Sequence, residues 1–296
     1  MKTTQTTVYR SLQNQLFKMQ NSMLDLRMSA ATGKRINKPS DDPSAIRPVL
    51  NARSQVQKSD RYLRTMGNAA DRLDILDSHL DQIGNLLINA QETLIAAGNG
   101  SQGPDDLVNY SNAMGHIKDE LFALANSNVD GKYIFAGFAE DTKPFEEADF
   151  LTTYHGDSGQ MELEIAPGER ITANLTGDEL FQGAGGGINI FQLLDDIQND
   201  LAVGDSPTAL SRLDDLKNAT EQVSRKRSQM GNVAARVENA QGHMEDIKID
   251  MQEVQSLYED ADIIEVITSL NQQQMAFEAA LNVTSQVSEL SILKYL

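Results

Sequence analysis

The chain has 296 residues, 40% of them apolar and only 5% aromatic, with no cysteine and no tryptophan. That excludes disulfides and thiolate-bound metals, and it suits long, narrow helical packing better than one thick core. Asp and Glu outnumber Lys and Arg 43 to 25, a net charge of -18 that repels a phosphate backbone and argues against a nucleic-acid partner. The opening residues Met1-Lys2-Thr3-Thr4-Gln5 lack the apolar core of a signal peptide, and no run approaches the roughly 20 apolar residues that span a bilayer. The expectation is a soluble chain with no cleaved signal and no membrane insertion.

Val8, Leu12, Leu16, Met19, Met23, Leu26 and Ala30 keep the 3-and-4 spacing of a coiled-coil seam and predict a helix from about Thr6 to Ala31. Phe17, Leu24 and Met28 make a second stripe on its other side. A helix apolar on two sides needs partners on two sides. From periodicity alone, a helix docked only on its own domain stays open as the blander alternative. Gly33 supplies a C-terminal stop, and a connector runs from Lys34 to Ser40. Asp42 then fits an N-cap and Pro43 the first helical position. Pro48 follows five residues later, so either the next helix begins near Pro48 or its first turns are kinked.

From Val49 to Ala97 apolar residues hold heptad spacing over a rod of roughly 70 Å at 1.5 Å per residue. A Gly-rich turn to Pro104 leads into a returning helix marked by Leu107, Tyr110, Met114, Ile117, Leu121 and Leu124. The character changes at Asn128-Val129-Asp130-Gly131. Tyr133, Ile134, Phe135 and Phe138 are strand formers, while Met161, Leu163 and Ile165 alternate with Glu162 and Glu164. Ile171, Ala173 and Leu175 repeat that alternation after Pro167-Gly168, which predicts a hairpin. The run Gly183-Ala184-Gly185-Gly186-Gly187 closes this insert; with no Gly-Lys-Ser/Thr after it, a phosphate cradle is not expected. A short helix over Asn189–Leu201, a start at Pro207 and a second long rod through Val254 follow.

The last thirty-nine residues, Tyr258–Leu296, contain no proline or glycine and read as one helix. Ile263, Ile267, Leu270, Phe277 and Leu281 fall on one seam; Ala276, Ala280, Val283, Val287 and Leu290 fall on roughly the opposite side. The expected fold is therefore mainly α with a small β insert. It is a long antiparallel coiled-coil-like bundle built from both chain ends, plus a central β-rich domain. Three parts follow: a terminal-helix domain (1–41 with 262–296), a helical rod domain (42–130 with 182–261) and the insert (131–181).

No chemistry emerges beside this architecture. His79, His116, His155 and His243 stand in no ligand-spaced cluster, and no nucleophile has a base at fixed local spacing. His116 near Asp119 and Glu120 is the best acid–base candidate and reads as exposed surface. Asp41-Asp42 and Asp105-Asp106 sit where helices start and read as caps; Asp195-Asp196, Asp214-Asp215 and Arg225-Lys226-Arg227 read as solvated faces. The expectation is a chain that is not an enzyme and uses no cofactor and no metal.

The residues Thr32 to Ser44 resemble the connector of the bacterial flagellin superfamily, carried by Gly33, Arg35, Ile36, Asn37, Asp41, Asp42 and Pro43. Glu259-Asp260-Ala261-Asp262 with the following residues to Gln274 is similar to the flagellin C-terminal signature. Gly131–Gly137, Tyr154-His155-Gly156-Asp157 and Asn174-Leu175-Thr176-Gly177 resemble the hook–filament junction branch of that superfamily more than the filament formers. Lys38-Pro39 and Pro48 depart from the usual connector. The resemblance implies a structural adaptor of the flagellum, exported unfolded by the flagellar type III apparatus and located outside the cell. It implies a ring made with other copies of the chain, contacts with a neighbouring hook-associated junction protein and with filament flagellin, and an export chaperone beforehand. Terminal helices in such proteins form the assembly element, which assigns that role to the two stripes of each end helix. It also leads us to expect ends that order only on assembly. A filament-forming flagellin and, from another class, a cytoplasmic coiled-coil binding module are the alternatives.

Overall fold

The structure, a computed structural model, describes residues 5–99 and 103–292. The side chains of Val8, Val287 and Leu290 lie outside what is described. Eight helices and four short strands follow in order: α1 (Gln5–Thr32), α2 (Ile46–Ala97), α3 (Pro104–Ala125), β1 (Asn128–Val129), β2 (Lys132–Tyr133), β3 (Glu162–Ala166), β4 (Glu169–Thr172), α4 (Gly177–Phe181), α5 (Ile190–Ala202), α6 (Ser206–Ser211), α7 (Leu213–Glu259) and α8 (Ile263–Ile292). The chain divides into two compact units, one of residues 1–60 with 246–296 and one of residues 61–245. Among the described residues no helix is long and apolar enough to cross a membrane.

In the first unit α1 and α8 pack together as an antiparallel pair. Beyond them the start of α2 meets the end of α7, where Asp60 pairs with Lys248 at 2.7 Å and Arg53 pairs with Glu259. Helix α2 begins at Ile46, not at Pro43. Asp42 caps a turn by accepting from the Ser44 and Ala45 amides, both at 3.1 Å, and the helix follows. Pro48 then falls in the first turn, where its missing N–H would have had no helical partner.

A second boundary also differs from expectation. Tyr258–Leu296 is not one helix: α7 stops at Glu259 and α8 restarts at Ile263. Asp262 caps the restart, its carboxylate accepting from Ile264 N–H at 2.9 Å and its carbonyl from Val266 N–H at 2.9 Å.

The second unit has the thicker core. Leu73, Leu76, Leu80, Ile83, Leu87 and Leu94 of α2 are buried along one stripe. Arg227 of α7 bridges Asp77 and Asp81 of α2, and Gln91 donates to Thr220 at 2.6 Å. Helix α3 packs on α5, with Lys118 on Asp195 at 2.6 Å; Arg212 holds Asp196 and Asp200. Asp195 and Asp196 are thus engaged between elements, not on solvated faces, and so is Lys226, which pairs with Glu179 of α4, whereas Arg227 makes its bridge at the surface, about two-fifths exposed. His116 is exposed. Asp106 accepts from Gly103 N–H at 3.1 Å, as its place in the first turn of α3 predicts.

The insert is less regular than its strand formers suggest. The Pro167-Gly168 hairpin forms as β3–β4, with Leu163 opposite Ile171 and an irregularity that leaves Ile165 unpaired and buried. Asp130-Gly131 turns β1 into β2, both with positive φ. Beyond Tyr133, Ile134 to Ala136 run buried without strand pairing.

Three stretches join there. Asp157 N–H donates to Ala136 C=O at 3.1 Å, and the Asp157 carboxylate accepts from Phe138 N–H at 2.9 Å and Gly159 N–H at 2.7 Å. The Tyr154 hydroxyl donates to Phe135 C=O at 2.7 Å, and burial pushes its pKa upward. Asn174 accepts from Met161 N–H and donates to Gly159 C=O. Beneath this knot Phe135, Phe145, Phe181 and Phe191 form a buried aromatic cluster, with Phe181 stacked on Phe191 at 5.2 Å.

Gly137 has φ +70°, and a Cβ there would lie 1.9 Å from the Asp157 carbonyl oxygen. Gly137→Ala is expected to destabilise the protein by at least about 2 kcal/mol. Gly67→Ala, in open space on α2, should stabilise by about 0.5–1 kcal/mol. Chemical denaturation of the two variants checks both signs.

Candidate functional site

Two features of the first unit carry its surface chemistry: the connector dock and the pair of end helices. The connector lies along the break between α7 and α8. Arg35 N–H donates to Glu259 C=O at 2.7 Å, Ala261 N–H to Gly33 C=O at 2.9 Å, and the Arg35 guanidinium to Tyr258 C=O at 2.8 Å. Gly33 makes this possible by turning the chain at φ +70° directly after α1. Ile36 is buried beneath. Asn37 donates to Lys34 C=O at 3.0 Å and accepts from Thr32, while Asp41 accepts from Asn37 and Lys38 N–H at 2.9 and 2.7 Å. Arg35 also reaches Asp42 at 3.2 Å. Pro43 follows in the turn before α2.

Glu259 is the centre of the dock. Its side chain is 1% exposed and accepts from Lys34 at 2.5 Å, from Gln255 at 2.7 Å and from Arg53. Burial pushes its pKa up, but the hydrogen bonds from Lys34, Gln255 and Arg53 outweigh burial and leave it below the ordinary value. The Lys38 and Asn37 amides hold Asp41 down as well. The Ser44 hydroxyl, then the Ala45 amide and Arg35, hold Asp42 down to about 2.

The end helices present a mixed surface. On α1, Leu12, Leu16, Met19 and Leu26 are half-buried and Met23 is buried, all on the side toward α8. Phe17, Leu24 and Met28 on the other side are exposed, Phe17 by 65%. On α8 the covered stripe is Val266, Leu270, Gln273, Phe277, Ala280 and Thr284. This corrects the expected seam: Leu270 and Phe277 are partly covered, but Ile263, Ile267 and Leu281 are exposed. The face toward α1 is rotated roughly 60° from that seam and lies between the two predicted stripes. Val283, on the second stripe, is exposed too. Apolar side chains therefore flank the α1–α8 contact on α8.

Residues 4–140 match the bacterial flagellin N-terminal helical region, and residues 213–296 match the bacterial flagellin C-terminal helical region. The chain belongs to the bacterial flagellin family. It is 28% identical over 285 residues to flagellar hook-associated protein 3 of Escherichia coli strain K12, covering 88% of this chain and 89% of that protein. It is 26% identical over 296 residues to flagellar hook-associated protein 3 of Salmonella typhimurium strain LT2, covering 92% of each. Its fold is similar to that of the flagellar junction protein FlgL from Legionella pneumophila, with a TM-score of 0.61 at 15% identity, over 72% of this chain and all of that one.

Within this flagellin-family chain, sequence reasoning missed Glu259 as the buried anchor and Arg53 as its partner. The available signal was Asp262 followed three residues later by Glu265, a helix-start pattern that places a boundary just after Glu259. Nothing local marks Arg53, which is 206 residues away.

Glu259→Gln keeps the shape and removes the charge. Lys34 and Arg53 are about two-fifths exposed and regain water, so the cost should be only about 1 kcal/mol. Faster hydrogen exchange at the Arg35 and Ile36 amides is the expected local readout. Lowered folded-state pKa values mean stabilisation that is complete above the ordinary carboxylate range and lost as pH falls through the folded values. For Asp42 the window runs from 3.8 down to about 2. Amide exchange in the connector, followed through that window, should rise before the second unit unfolds.

Proposed function

We propose that this protein is a structural adaptor of the bacterial flagellum that joins hook to filament, not an enzyme. The carrying observation is its likeness over nearly the whole chain to two proteins named hook-associated protein 3. The α1–α8 pair supports it: exposed apolar stripes flanking a helix pair are surface that association would cover. Residues 1–41 with 262–296 act as the assembly domain, 42–130 with 182–261 as the rod, and 131–181 as the insert. Leu12, Leu16, Met19, Met23, Leu26, Leu270 and Phe277 hold the pair together. Phe17, Leu24, Ile263, Ile267, Leu281 and Val283 meet neighbouring subunits, and Val8, Val287 and Leu290 extend the same element. The connector residues, Gly33 to Pro43, fix where that pair leaves the rod.

In this reading copies of the chain form a ring between a neighbouring hook-associated protein and filament flagellin. The chain reaches the outside unfolded, through the flagellum's own type III export channel, after release from a chaperone. A filament-forming flagellin is the second reading; it is less supported, because both relatives carry the hook-associated name.

Immunolocalisation should label a single point at the hook–filament boundary, while labelling along the filament would favour the second reading. Removing residues 263–296 should abolish incorporation while residues 61–245 keep their cooperative melt. Filament growth supported by the truncated chain would count against the terminal helices as the assembly element.

A further inference from the structure

Within the insert, the turn after Phe145 brings together three side chains that the adaptor role does not use. We propose that Glu146, Asp149 and His155 form a binding site for one divalent cation of the zinc class. One carboxylate oxygen from each acid and a ring nitrogen of His155 all lie within 4.8 Å of one another.

The backbone sets this arrangement. Asp149 and Phe150 N–H both donate to Glu146 C=O, at 3.3 and 2.9 Å, so the two acids stand on one side of a tight turn. Thr152 and Thr153 N–H then donate to Asp149 C=O, and His155 N–H donates to Pro144 C=O at 2.8 Å. Phe150 is clamped between Phe122 and Phe191, with ring centroids at 4.9 and 5.1 Å. Asn189 donates to Leu151 C=O at 2.7 Å and Gln182 to Phe150 C=O at 3.2 Å. The donors therefore sit on a loop ordered by folding, which lowers the entropy lost on binding.

His155 Nε2 lies 3.1 and 3.2 Å from the two Asp149 oxygens. One N–H shared between both oxygens makes an ordinary ion pair. The separations do match a coordination edge: with ligands about 2.1 Å from a metal, neighbouring donor atoms are about 3.0 Å apart in an octahedron and about 3.4 Å in a tetrahedron. Glu146 is exposed, and a carboxylate oxygen of it lies within 4.8 Å of the other two donor atoms, as the third corner. Imidazole with two carboxylates suits zinc and its neighbours, whereas calcium and magnesium favour oxygen alone. Lys143, the cation nearest in sequence, lies over the Phe122 ring at 5.2 Å. Three protein ligands leave a position for water or for a donor from another molecule. The competing account is a plain His155–Asp149 ion pair, which has no role for Glu146.

Zinc titration of the full chain against a chromophoric chelator separates the two. The expected result is one zinc per chain with low-micromolar affinity and a higher melting temperature on zinc addition. Affinity should fall about tenfold or more in E146Q, and further in D149N and H155Q. E146Q alters an exposed group, so its metal-free melting temperature should equal that of the unaltered protein, keeping the test independent of folding. Absence of stoichiometric binding, or affinity unchanged by E146Q or by H155Q, overturns the proposal.

Discussion

A buried carboxylate holds together the two places where this chain turns back. Glu259 draws on the connector through Lys34, on α2 through Arg53 and on its own helix through Gln255. Removing a carboxylate from water costs several kcal/mol unless its oxygens are fully engaged, so these segments are held in one arrangement or none. The backbone acts in the same place. The Glu259 carbonyl accepts from Arg35 N–H, while Ala261 N–H turns outward to Gly33. Connector amides thus take the bonding positions that the next helical turn would have used. Helix α7 ends because a distant segment competes for its last groups, with Asp262 ready to cap a new start.

That competition explains what the sequence could and could not disclose. The extents of α1 and α3 and the long run of α2, though not its start at Ile46, were legible because heptad spacing is local and sustained, and the β3–β4 hairpin because its alternation flanks Pro167-Gly168. The break after Glu259 is marked only by the Asp262–Glu265 capping pattern, with no proline or glycine, and its cause lies more than 200 residues away. The true contact face of α8 was hidden for a related reason. Hydropathy ranks Ile263 and Ile267 above Gln273 and Thr284, yet α1 covers the polar pair. A helix with apolar residues on much of its circumference does not state which arc its partner takes. The metal trio was invisible because its spacing is meaningful only after the turn at Glu146 forms.

Apart from His155, the middle motifs carry a structural meaning distinct from any site. Gly131–Gly137, Tyr154–Asp157 and Asn174–Gly177 are far apart in the chain, yet they are three sides of one hydrogen-bonded knot. Gly177 N–H closes it by donating to Phe135 C=O at 2.9 Å. Glycine is required where backbones approach: side chains at Gly137, Gly156 and Gly159 would each lie within 2.5 Å of another group. An insert with so little regular sheet satisfies its backbone through Asp157, Asn174 and Tyr154 side chains instead of a ladder. Those residue types therefore mark how this insert folds, and they need no ligand to explain them.

The two units also differ in where their apolar surface goes. The second unit encloses four phenylalanines and a continuous leucine–isoleucine stripe, each side chain contributing about 1.5–3 kcal/mol when fully buried. In the α1–α8 pair Met23 alone among the described α1 and α8 side chains reaches burial, and the rest of the covered face is half in water, with Gln273 and Thr284 on it. Contributions there are correspondingly a fraction of those values, against about 1–2 kcal/mol per residue for ordering the backbone. Several large apolar groups of the pair, Phe17, Leu24, Ile264 and Met275, face outward, while Met19, Met23 and Phe277 face the contact. A helix pair that leaves this much apolar surface outside its own contact still has burial to gain from being surrounded, which is the balance expected of a segment completed by its neighbours.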